Sequence, residues 1–179
     1  MISLYKGLAK VEEQEKRLEM LRSSSAYKAY ESELKTVLGE EMKLRSQYTR
    51  KMAQKDNKWW GKEVVKIREE IENQSNLIVK NSRKRLLAYL SISSFMQIEA
   101  ALNRGLLPQA RKLLYILNLV DPQNPDYYYL SAKLMLKQGK NERAVDLLKQ
   151  ATKYGFDVWE TLNDERIFDP VRRYLHTIQ

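Results

Sequence analysis

The side chains that could do chemistry in this chain are few and scattered. There is one His, His176, and no Cys, so neither a thiolate nucleophile nor a Cys/His metal set can be assembled. His176 lies near Arg172 and Arg173, with no clustered carboxylate to orient its ring as a general base. The adjacent carboxylates Glu12-Glu13, Glu40-Glu41 and Glu69-Glu70 could work as acid and base only on a shared face, yet neighbours on a helix diverge by about 100°. A four-helix carboxylate metal site needs Glu-x-x-His, which is missing. The glycines are isolated, so no loop cradles a phosphate. These residues predict no catalysis, no cofactor and no metal. They leave binding as the function to look for.

Composition sets the frame that must position any binding residues. The chain of 179 residues is 43% apolar and 31% charged, with six Gly and four Pro. All four Pro lie beyond residue 107, so the first hundred residues hold almost no helix punctuation. No run of eighteen apolar residues occurs and no charged start leads into an apolar stretch. The expectation is a cytoplasmic chain as written, or a periplasmic or envelope one if a leader has been removed. Net charge is +9, with +7 in residues 1–90 and +2 in residues 91–179. Most of that excess interleaves with acids, as in Glu12-Glu13-Gln14-Glu15-Lys16-Arg17, the pattern of a solvated helix face. Only Lys80 to Arg85 is a basic run without an acid.

Periodicity predicts an all-α chain. A first helix runs from about Ser3 to Arg22 with Leu4, Leu8, Val11, Leu18 and Leu21 on one side. Ser23-Ser24-Ser25 interrupts it, serine being a good N-cap. A second helix reaches about Gln54, with Tyr27, Tyr30, Leu34, Val37, Glu41, Leu44 and Tyr48 on a heptad-like seam that suits an antiparallel hairpin. After Lys55-Asp56-Asn57, a third carries Trp60, Val64, Ile67 and Ile71. Leu77 to Asn103 has no breaker, which predicts one long helix, or two nearly collinear ones, belonging to both halves of the chain. Gly105 ends it, Pro108 opens a helix to Val120, and Asp121-Pro122-Gln123-Asn124-Pro125 stops and restarts the chain. Helices over 126–138 and 140–154 turn at Gly139. One or two short helices divided at Asp169-Pro170 end the chain.

Gly105 and Ala110 recur as Gly139 and Ala144, thirty-four residues on. With Tyr128, Ala132, Leu148 and Ala151, residues 91–156 resemble two copies of the tetratricopeptide repeat, a helix–turn–helix unit of that length. The first copy departs from the pattern at Ser94, Ile98 and Leu117. The close around Gly155-Phe156, Leu162-Asn163-Asp164, Phe168 and Val171-Arg172 resembles the terminal cap of some bacterial secreted or envelope repeat proteins. The periodicity predicts an antiparallel helical bundle or long hairpin in residues 1–90, outside the resemblance. TPR-like repeats and a capping helix would follow in residues 91–179, joined to the bundle by the helix over 77–103.

A tetratricopeptide array binds on the concave face lined by its first helices. By that resemblance the partner-binding residues are Phe95, Glu99, Leu102, Asn103, Asp126, Tyr129, Lys133, Leu136 and Lys137. Tyr128 would lie in the core, leaving Tyr127 and Tyr129 for the surface or groove. Trp59, beside Trp60 and flanked by Lys55, Lys58 and Lys62, is a further candidate as an exposed anchor. The function expected is a protein–protein interaction scaffold holding a protein or peptide, with homo-oligomerisation open. The alternative is a basic helical module for nucleic acid or an anionic membrane surface, using Lys80 to Arg85 and the Trp59 region.

Overall fold

A computed structural model describes residues 2–157 and 166–177, and their side chains apart from those of residues 2–10, 12, 173 and 175–177. All described elements are helical: α1 (Ile2–Ser23), α2 (Ser25–Gln54), α3 (Asn57–Asn73), α4 (Leu77–Asn103), α5 (Leu107–Val120), α6 (Pro125–Lys137), α7 (Asn141–Lys153) and a terminal 3₁₀ segment (Arg166–Thr177). None of the described helices is long and apolar enough to cross a membrane. The chain divides into two compact units, Met1–Met42 and Lys43–Gln179. That division falls inside α2 and not near residue 90, which lies in the middle of the uninterrupted α4.

In the first unit, Ser24 makes the predicted interruption. Its hydroxyl donates to the Leu21 carbonyl at 2.7 Å and accepts the Tyr27 N–H at 3.2 Å, ending α1 and capping α2 with one side chain. The expected apolar side of α1 stays open among the described side chains, with Val11, Leu18 and Leu21 all exposed. Glu13, Glu15, Lys16, Arg17 and Glu19 surround it, leaving only a narrow apolar strip. Leu4 and Leu8 lie outside the described side chains. On the first part of α2 the seam is uneven: Tyr27 and Tyr30 are exposed, while Val37 and Glu41 are buried.

The second unit holds the core. Asp56 caps α3 by accepting the Trp59 N–H, and Asn76 caps α4 by accepting the N–H groups of Ile78 and Val79. α4 buries almost every fourth residue, Ser82, Leu86, Leu90, Ser94, Ile98 and Leu102, so one stripe faces inward for its whole length. Met96 falls on the opposite face and is exposed, as is Ile92. α5 packs on α3, α4 and α6 and buries Ala110, Leu113, Leu114, Ile116, Leu117 and Val120. Arg68 of α3 donates to the Leu119 carbonyl at 2.6 Å, satisfying an orphan acceptor at the end of α5.

α4–α5 and α6–α7 are helical pairs whose turns match in detail. Gly105 and Gly139 both have φ +72°. In each turn the glycine N–H bonds three residues back, to Leu102 or Leu136, and the next N–H bonds five back, to Ala101 or Met135. This is the Schellman closure, which needs a left-handed residue at the glycine position. Gly155 repeats it after α7, with Phe156 N–H on the Ala151 carbonyl. Ala110, Ala132, Ala144 and Ala151 are fully buried, letting helix backbones approach closely.

The 3₁₀ segment packs on α6 and α7. It runs through Asp169-Pro170, which was expected to divide two helices, and buries Phe168 and Val171. Leu162, Asn163 and Asp164 lie outside the described residues.

Candidate functional site

Of the residues expected to line a concave binding face, Glu99, Tyr129 and Lys133 are brought together, and Leu102, Tyr129 and Lys133 are buried. Glu99 of α4 and Lys133 of α6, also thirty-four apart, meet in an ion pair, with both carboxylate oxygens accepting from Lys133 Nζ at 2.8 and 3.1 Å. The Lys133 side chain is only 6% exposed and its ammonium also lies 5.2 Å from the Tyr129 ring centre. Tyr129 is buried: Phe156 stacks on it at 4.5 Å between centroids and Phe168 packs at 5.7 Å. Leu102 is buried, and Phe95 and Leu136 are half-buried against the core. Asn103 and Lys137 are exposed. Asp126 is half-buried at the start of α6, where burial and then the charge of Asp121 push its carboxyl above the ordinary range.

The tyrosine register differs by one from the expectation. Tyr129, not Tyr128, enters the core, because Phe156 and Phe168 from the end of the chain supply its neighbours. Tyr128 stacks flat on Tyr154 at 5.0 Å, and Tyr127 meets Tyr128 edge-on.

Trp59 is half-buried within an aromatic cluster. Trp60 lies edge-on at 5.1 Å and Tyr48 at 6.3 Å, while Lys51 and Lys55 place ammonium groups 5.1 and 5.9 Å from its ring centre. Tyr48 donates a short hydrogen bond to Glu63 of α3. Burial first, then that bond and the Glu63 charge, hold the Tyr48 phenol far above its ordinary range. In the basic run, Arg83 pairs with Glu70 at 3.1 Å. His176 is in the 3₁₀ segment, and its side chain is outside those described. Among the described residues no three His, Cys, Asp or Glu side chains group as for a metal.

A groove that the sequence did not indicate opens elsewhere, with a volume of about 580 Å³. It is made of one stripe from each of three helices: Arg111, Leu114, Tyr115 and Asn118 on α5, Tyr127, Ser131, Leu134 and Met135 on α6, and Arg143, Asp146 and Leu147 on α7. Asn57, at the start of α3, adds one polar group. Spacings of three and four put each set on a single helix face. Leu114 and Leu134 form a buried floor, Met135 and Leu147 are half-buried, and Tyr115 is partly exposed. Arg111 and Arg143 are exposed, and neither forms an ion pair or hydrogen bond with a described residue. By contrast the next residue, Lys112, is engaged, donating to the Ala53 carbonyl at 2.9 Å.

The stripe on α5 could have been read from its sequence. It could not be told from a core stripe, because α5 is apolar on most sides and only packing decides which side stays open. Comparison with protein-family models, with curated proteins and with solved structures finds nothing that matches this chain.

Proposed function

We propose that this chain is a non-catalytic interaction scaffold, built of TPR-like hairpins on a helical N-terminal region and closed by the C-terminal 3₁₀ segment. The observation that carries this reading is the open groove across α5, α6 and α7, with an apolar floor and two exposed arginines at its edge that pair with none of the described residues. Its size falls in the range of ligand-holding clefts, about 300–1,000 Å³. The repeat reading is supported by the matched turns at Gly105 and Gly139 and the fully buried Ala110 and Ala144.

The groove shifts the placement of the partner. A face built on Tyr129 and Lys133 would have to open the Glu99 ion pair and displace Phe156 and Phe168, whereas the groove needs no rearrangement. Affinity capture on the full chain after nuclease and detergent treatment tests the class of function. The expected result is a protein partner at fixed stoichiometry. Co-purification of nucleic acid or lipid alone, with retention on heparin that falls steeply with salt, would replace this reading by that of a basic module.

A further inference from the structure

We infer that the groove receives a short amphipathic helix of an acidic partner, with its carboxylates at the end marked by Arg111 and Arg143. This rests on the scaffold reading and adds the chemistry of the occupant. Short turns join α5 to α6 and α6 to α7, and both joined pairs pack together. α5 and α7 therefore both run opposite to α6, form two walls, and start at the same end of the groove. Arg111 and Arg143 open their respective stripes, so the two guanidinium groups mark that end.

The length fits about two turns of helix. From Arg111 to Asn118 the α5 wall extends seven residues, about 10 Å at the helical rise. Over that length a docked helix presents two or three anchors on one face, spaced three or four apart. Leu114, Leu134 and Leu147 offer them an apolar bed, and Met135 adapts to their shape.

Charge selects the partner. Exposed arginines with no partner among the described residues are suited to bidentate carboxylate pairing. Asp146 is the single carboxylate among the described residues that line the groove and lies one turn beyond Arg143, so charge changes sign along α7. A helix with carboxylates at the Arg end and a neutral or basic residue near Asp146 satisfies both. A second copy of this chain carries the same +9 and is repelled. A flat bilayer cannot enter a cleft between helices, and a phosphate backbone leaves the apolar bed without a partner.

The test is selection of helix-forming dodecapeptides from a randomised display library on the full-length protein. Winners are then titrated by fluorescence anisotropy. The expected winners carry two apolar residues three or four apart and carboxylates toward one end. Their affinity should drop about tenfold or more in the Arg111→Glu/Arg143→Glu variant and recover when the peptide carboxylates are exchanged for Lys. A Leu147→Glu variant, checked for unchanged helicity, should also lose binding.

Winners that bind equally well to all groove variants would overturn the groove assignment and leave the scaffold reading standing. Failure to select any peptide would overturn the inference, and failure of affinity capture as well would remove the scaffold reading. A DNA oligonucleotide or phosphatidylserine vesicles binding through the same arginines, with no peptide doing so, would overturn the inference in favour of a phosphate-bearing ligand.

Discussion

At the scale of single residues, three polar groups in the core set measurable energies. Tyr48 keeps its proton in the folded chain because burial and Glu63 favour the neutral phenol. Its folded value is raised above the unfolded one, about 10, so its stabilising contribution is complete below that pH and is lost as pH rises beyond it. Tyr48→Phe should cost about 1–3 kcal/mol in urea unfolding at neutral pH and flatten the loss of stability above about pH 10. An unchanged alkaline slope would contradict this.

Glu99 and Lys133 should respond unequally to truncation. Lys133 is nearly buried, while the Glu99 side chain is 26% exposed and can turn to water. Glu99→Ala, which removes the carboxylate paired with the nearly buried ammonium, is expected to cost about 3 kcal/mol, and Lys133→Met distinctly less. Equal losses would show that the pair is already solvated. The Ser94 hydroxyl is buried with no hydrogen-bond partner among the described residues, so Ser94→Ala should raise stability by about 1 kcal/mol.

At the scale of elements, the turns and the helix crossings make separate claims. A Cβ at Gly105 or at Gly139 would meet nothing within 4 Å, so Ala there is penalised by the backbone alone. Both Gly→Ala variants should therefore lose a similar amount, about 1–2 kcal/mol, read by thermal unfolding. Ala144, fully buried where α7 crosses α6, has no such room, and Ala144→Leu should cost about 1–3 kcal/mol by overpacking.

Helix existence and limits were legible because capping residues speak locally: Asp56, Asn76 and Asn124 each bond the first turn of the helix they precede. The long α4 was legible from the absence of any breaker. What lines the candidate site was not. Tyr129 is buried by residues nearly thirty and forty positions onward, a tertiary choice that a local pattern of three tyrosines cannot make. Likewise Trp59 looks like a free anchor until Tyr48 and Lys51 of α2 and Lys55 of the turn after it pack around its ring.

At the scale of the whole molecule, burial is distributed unequally along the chain. Every described side chain of α1 from Val11 to Ser23 is exposed, whereas α4 to α7 share a continuous core. Amide exchange should accordingly be fast in α1 and slowest in α5 and α6, where backbone hydrogen bonds lie beneath packed side chains. Slow exchange throughout α1 would mean that a partner or a further contact covers it in solution.

The central claim is that this chain holds a protein partner in the groove across α5, α6 and α7. Hydrogen exchange of the full chain, with and without its captured partner, tests it most directly. The predicted result is new protection confined to the segments 111–118, 127–135 and 143–147. Protection centred on Lys80 to Arg85, or on the exposed strip of α1 with the groove unchanged, would contradict it.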